Sequence, residues 1–336
     1  MASLTTFGND LFTGKRSFNF VGNRKIWFSV AIVLVLASIL VPIVKGGFNL
    51  SIEFTGGSQF TINSVEDTDQ NKATDAVASV VPDAVSKVTT VGESAIRVQT
   101  NQLTSADTND VTTALAEAFN VPESEVTTSF IGASWGQDVT RQALSGLVIF
   151  LVLAFITMAI YFRTWKMSAA AMIALLDVLV ITLGVYALSG FEISPAAIIG
   201  FLTILGYSLY DTVVVFDKIR ENTTEDGDNS PRTFAESVNL AVNQTLVRSI
   251  NTSVVAALPV GSILIIGDFL LGAETLRDIS LSLFVGILVA TYSTIFVAAP
   301  LYALFRQNEP EIKKRDARVL AARARSASES AVVPAV

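Results

Sequence analysis

Gln142 to Phe162 reads QALSGLVIFLVLAFITMAIYF, 21 residues without a charge. At about 1.5 Å per residue this run, coiled as a helix, is about as long as the hydrocarbon core of a bilayer is thick. It reads as a transmembrane helix. Five more runs of that kind follow on either side of it. Ile26–Val44 is uncharged, and Met167–Ser189 is interrupted only by Asp177. Ser194–Phe216 contains Asp211 and opens on Ser-Pro, a capping side chain followed by a first-turn proline. Arg248–Gly267 opens on an arginine and is expected to bend or break near Pro259. Ile279–Phe305 is long enough to tilt.

Composition agrees. Of 336 residues 51% are hydrophobic and only 16% charged, with mean hydropathy +0.54. A water-soluble domain carries about a quarter charged residues. Here the shortfall is confined to the six runs. Lys15, Arg16, Arg24 and Lys25 precede the first run and no small-x-small cleavage site follows it, so it reads as a retained anchor.

Basic residues set the expected orientation. Residues 1–25, Arg163, Lys166, the 217–247 loop and the 306–336 tail hold most of them. Both termini are therefore expected in the cytoplasm, and residues 46–137 outside. In the 217–247 loop, a turn over Thr223–Asn229 precedes a helix beginning at Ser230-Pro231. Its stripe Phe234, Val238, Ala241, Val242 and Thr245 predicts a helix lying on the membrane or packed under the bundle. The arginine-rich tail from Arg306 reads as a disordered end attracted to lipid headgroups.

Between the first two spans, strand patterns fall at Gln59–Asn63, Ser86–Val91, Ala95–Thr100 and Glu125–Ile131. Helical spacing falls at Thr68–Val80 and Thr104–Phe119, the latter opened by Thr104-x-x-Asp107. The order β-α-β-β-α-β is that of a ferredoxin-like α+β domain. The expected fold class is thus a membrane protein, an all-α bundle of six transmembrane helices with one small extracytoplasmic α+β domain.

Residues 45–141 hold 13 Asp and Glu against five Lys and Arg, which argues against nucleic acid as a partner. The chain has no cysteine and no histidine. Disulfides, thiol catalysis and thiolate metal sites are excluded, and proton chemistry must use carboxylates. No phosphate loop, metal cluster or nucleophile triad is visible. No cofactor and no enzymatic activity are expected.

Charges within the spans cost at least about 2.5 kcal/mol each. Asp211 falls in the inner half of the fourth run, and Arg248 begins the fifth at the same depth, so an ion pair is expected. Tyr207 and Ser208 lie one turn before Asp211, and Asn251 and Thr252 one turn after Arg248. Burial and an adjacent arginine act on a carboxyl in opposite senses. The pair could therefore be a proton-operated switch, or a static contact fixing helix register. Asp177 could support it, or serve only as a structural hydrogen-bonding group.

Two stretches are specific: GYSLYDTVVVFDKIREN over 206–222 and SVNLAVNQTLVRSINTS over 237–253. With Phe54-Thr-Gly56-Gly57, the Ile131-Gly132…Gly136 element and GILVATYSTIFVAAPL over 286–301, they resemble the SecF family, membrane subunits of bacterial protein export. The likeness covers about Lys25–Phe305. It departs at Glu53, where the family motif carries aspartate, and at Ala133, where it carries proline.

The resemblance implies one six-span half of an RND-type transporter with an external domain called P1. It implies pairing with SecD, and association with the SecYEG translocon and other small Sec accessory subunits in the bacterial cytoplasmic membrane. It implies that proton motive force promotes late translocation and release of the exported polypeptide. By position, Asp211, Arg248 and Thr252 match the family's proton-relay residues, and Gly56 and Gly57 its paired motif glycines. An RND-like exporter of lipids or small molecules, and a non-transporting scaffold, are the alternatives to test.

Overall fold

The computed structural model describes residues 4–91, 94–225, 231–267 and 274–332. Among them, six helical stretches are long and apolar enough to cross a membrane. These are α2 (Arg24–Lys45), α6 (Ala133–Phe162), α7 (Trp165–Ser189), α8 (Pro195–Glu225), α9 (Phe234–Ile265) and a last span. That last span joins α10 (Glu274–Tyr292) and α11 (Ala299–Arg306) through a π-helical turn at Ser293–Ala298. Its central position and those of α7 and α8 leave α2, α6 and α9 with outward apolar faces such as Ile32, Leu153 and Val255.

Small residues let α8 and α10 approach closely. A β-carbon on Gly286 would stand 2.5 Å from Ile204 Cγ1, and one on Gly200 would overlap Ser282. Such small-residue seams are how helices pack where lipid supplies no hydrophobic drive.

The domain between the first two spans contains β1 (Gly57–Ile62), α4 (Gln70–Val80), β2 (Ser86–Val91), β3 (Ala95–Thr100), α5 (Ser105–Phe119) and β4 (Val126–Ile131). Its antiparallel sheet has strand order β2-β3-β1-β4. Strand side chains alternate between faces. Phe60, Ile62, Ile96, Val98 and Val126 therefore pack on Val77, Val111 and Leu115 of the helices, while Thr61, Arg97 and Gln99 point to the other face. Thr104 caps α5 through the Asp107 amide. The short helix α3 (Ile52–Thr55) leads into Gly56 and Gly57, with φ +73° and +133°. A β-carbon on Gly57 would sit 2.2 Å from the Thr100 carbonyl oxygen, and one on Gly56 2.8 Å from Ala133 Cα. The paired glycines thus let the chain pass between the sheet and the start of α6.

Several boundaries differ from those expected. The fourth helix runs on to Glu225, well past Phe216, and residues 226–229 of the predicted turn, with residue 230 of the predicted helix start, lie outside the described residues. The fifth helix begins at Phe234, not Arg248, because Thr233 and Glu236 form a capping box there. Its Phe234–Thr245 stripe is the first half of this long helix, buried in the bundle core with Phe216, Tyr302 and Ile312. Pro259 lies inside α9 and does not end it.

The tail is helical too. Residues Pro310–Val332 form α12. Asp316 accepts from the Phe234 amide at 2.8 Å, Arg315 reaches Thr223 O at 3.2 Å, and Arg323 pairs with Glu236 at 2.6 Å. These contacts, with buried Ile312 and Val319, order a segment whose composition alone reads as disordered. At the same end, a first helix α1 (Leu4–Phe12) leads into Phe18–Val21. The side chains of Asn239 and Asn243 hold that stretch by hydrogen bonds to the Phe18, Phe20 and Val21 amides.

Candidate functional site

Polar side chains are expensive inside an apolar bundle, and here they collect along the seam of α8, α9 and the last span. Ser208, Asp211 and Thr212 come from α8, Ser249 and Ser253 from α9, and Thr291 and Thr294 from the last span. Asp211 is only 5% exposed. Its Oδ1 accepts from Ser249 Oγ at 3.0 Å, and its Oδ2 is buried without a hydrogen-bond partner. Next to it, the Thr212 and Thr294 hydroxyls are 3.1 Å apart. One turn along α9, the Ser253 and Thr291 hydroxyls meet at 2.5 Å. Thr294 lies in the π-helical turn, a feature that frequently marks functional positions in helices.

Arg248 does not pair with Asp211. Successive residues on a helix point about 100° apart, so when Ser249 faces Asp211, Arg248 turns outward. It donates instead to the Tyr210 hydroxyl at 3.3 Å, on the surface of the bundle where Tyr210 is 58% exposed. Asn251 shares that outward face, and Thr252 is half-buried beside it. Tyr207 and Ser208 are on the inner side, with hydroxyl oxygens buried and unbonded. The seven residues singled out from sequence thus divide into two adjoining sets, an inner Tyr207–Ser208–Asp211 group and an outer Arg248–Asn251–Thr252 strip, with Asp177 apart.

Asp177 lies on α7, 8% exposed, with Oδ2 unbonded. It borders an apolar groove of about 470 Å³ between α2, α7 and the last span, walled by Phe28, Val35, Ile173 and Leu301. Ser293 stands near it and donates to the Ala174 carbonyl at 3.1 Å. Sequence reasoning paired Asp211 with Arg248 and did not single out Ser249, the residue that donates to it. A one-residue register on α9 decides between them, and packing sets that register. No cluster of three or more metal-ligating side chains occurs among the described residues.

A multi-pass membrane bundle with one small α+β domain and a buried carboxylate between its helices defines a membrane-embedded class of protein. Two family models match within it. The C-terminal model of the SecD/SecF protein export membrane proteins matches residues 110–308, and the SecD/SecF GG motif matches residues 43–64. The chain belongs to the SecD/SecF family of protein export membrane proteins.

The chain is similar to the protein translocase subunit SecF of Streptomyces coelicolor, 42% identical over 98% of this chain and 87% of that one. It is 38% identical to the SecF of Mycobacterium tuberculosis, over 94% of this chain and 73% of the relative. Among solved structures, SecDF of Thermus thermophilus, a translocon-associated membrane protein, matches with a TM-score of 0.76 and 30% identity. That match covers 87% of this chain and 39% of SecDF, so the chain spans about two fifths of that longer protein.

Proposed function

We propose that the chain is an accessory subunit of the bacterial Sec translocase. In this reading it is the SecF-type, RND-like half that pairs with SecD and associates with SecYEG and its small accessory subunits. It is not an enzyme. It lies in the cytoplasmic membrane with both termini inside and the ferredoxin-like domain outside, and uses proton motive force to promote late translocation and release of exported polypeptide.

The observation that carries this reading is the geometry of Asp211. A single hydroxyl donor engages one oxygen and leaves the other bare in a buried seam. An uncompensated buried charge is costly, so a carboxyl held this way is suited to take up and release a proton. Proton exchange at that point changes what Asp211 demands of Ser249 and of the α8–α10 seam, which couples protonation to helix position.

The outward strip supports pairing with a second half. Arg248 opens the apolar half of α9, beside exposed Ile250, Val254, Val255 and Leu258. An arginine at that depth facing lipid is unfavourable, and a partner of the same layout would cover it. The fused SecDF relative joins both halves in one chain.

The test is proton-gradient-stimulated export in inverted vesicles. Asp211→Asn is expected to abolish the stimulated component and leave basal translocation intact. Full stimulation in the variant would sink the relay.

A further inference from the structure

Three consecutive residues between α7 and α8 fasten three separate parts of the chain. Glu192 Oε2 lies 2.7 Å from Arg97 Nη1 on β3, with both side chains about 95% buried (5% and 6% exposed). Ile193 donates its amide to Asn49 O at 2.7 Å and accepts at its carbonyl from the Ser51 amide at 3.1 Å, bridging to the segment that leaves α2. Ser194 accepts from the Ala197 amide at 3.2 Å, capping α8, and donates to Asp278 Oδ2 at 2.6 Å in the first turns of α10.

The junction is enclosed. Tyr186 of α7 donates to the Asp278 carbonyl at 2.8 Å, and the Arg277 guanidinium lies 5.4 Å over the Phe191 ring while meeting Asp278 Oδ1 at 3.4 Å. Half-buried Lys87 on β2 also feels Glu192. The sheet face turned to the bundle is therefore polar and charged, unlike the apolar face that builds the domain core. Interfaces of that character between domains hold without being permanent. A buried ion pair adds specificity of position more than net stability.

We propose that Arg97 and Glu192 form a releasable clasp that links the position of the domain to α8 and α10, the two helices whose seam holds Asp211. Glu192 and the α8 cap Ser194 are two residues apart, so a displacement of the domain is passed to the end of α8 and, through Asp278, to α10. Coupling of this kind is reciprocal: a change in the seam at Asp211 alters how firmly the domain is held. The proposal rests on the reading of Asp211 as a proton-exchanging site.

Because the chain has no cysteine, spin labels can be placed at will. Val85→Cys on the domain and Leu188→Cys at the end of α7 are 79% and 63% exposed positions. Their distance distribution is measured in the full chain, co-reconstituted with SecD in proteoliposomes. A second pair inside the domain, Val85→Cys with Phe130→Cys, reports its own fold.

The intact clasp is expected to give one dominant distance, and Asp211→Asn to shift its populations. Glu192→Gln is expected to lower the docked population by about tenfold or more, since the buried ion pair at 2.7 Å that joins the domain to the α7–α8 connection is then lost. It should also remove the response to Asp211→Asn, while Arg97→Lys, which keeps the charge, retains both. Should Glu192→Gln disturb the pair inside the domain, Arg97→Gln carries the same expectations from the other partner. An unchanged docked population overturns the clasp, as does an Asp211→Asn response that is absent in the intact chain or equal with and without Glu192. These results are separable from the export assay: stimulated export that still depends on Asp211 keeps the relay even if the clasp falls.

Discussion

Replacing Gly57 with alanine tests how the domain is hung from the bundle. The residue has φ +133°, a conformation that costs an L-residue about 1–3 kcal/mol. Its new β-carbon would stand 2.2 Å from the Thr100 carbonyl oxygen. That atom belongs to the backbone of β3, where Thr100 faces Ser58 in the β1–β3 register. Relief therefore requires the ladder to part, at about 1–3 kcal/mol by analogy with overpacked cores.

The sum is about 2–6 kcal/mol, a large share of the stability of a small domain. It corresponds to at least about a thirtyfold rise in sheet opening, at about 1.4 kcal/mol per tenfold. Val98→Cys provides the assay, because Val98 is fully buried in the domain core and the chain is otherwise free of thiols. Maleimide labelling at Val98→Cys should accelerate by that factor in Gly57→Ala. Gly47→Ala is the control, with φ +126° but nothing within 4 Å of the new carbon, and should leave labelling unchanged. Equal labelling in Gly57→Ala and its parent would refute the close-approach argument. So would an equal acceleration by Gly47→Ala.

Two further outcomes are expected. Gly286→Ala places a methyl 2.5 Å from Ile204 Cγ1 and should destabilise the α8–α10 seam by about 1–3 kcal/mol. The check is a lower melting temperature in detergent, with little change in domain labelling at Val98→Cys. At the tail, Arg315→Ala should release α12 to trypsin more than Arg323→Ala does. The Arg315 side chain is buried against Thr223 O and Ser237, whereas the Arg323–Glu236 pair is about half exposed and screened.

Much of the architecture is legible because its signals are local. An uncharged run such as Gln142–Phe162 has one stable solution in a bilayer, where every backbone group must be satisfied within the segment. The strand and helix order of the domain follows from side-chain alternation and from the Thr104 cap. The ends of elements are less legible. The α9 start moved from Arg248 to Phe234 because a stripe that looks amphipathic in isolation is buried once Phe216, Tyr302 and Ile312 surround it. The tail looked disordered because its ordering comes from partners about 80–90 residues away, namely Phe234, Thr223 and Glu236.

The amino-acid sequence by itself determines the six membrane-spanning segments, the polar domain between the first two, the absence of thiol and imidazole chemistry, and Asp211 as the carboxylate to explain. Those properties follow from hydrophobicity, periodicity and residue type, which act over a few neighbouring residues. Only the tertiary structure decides that Asp211 is held by Ser249 while Arg248 turns outward to Tyr210, and that Arg97 and Glu192 meet across 95 positions of chain. The reason is rotational register: one residue turns a helical side chain by about 100°, and that register is set by how whole helices pack.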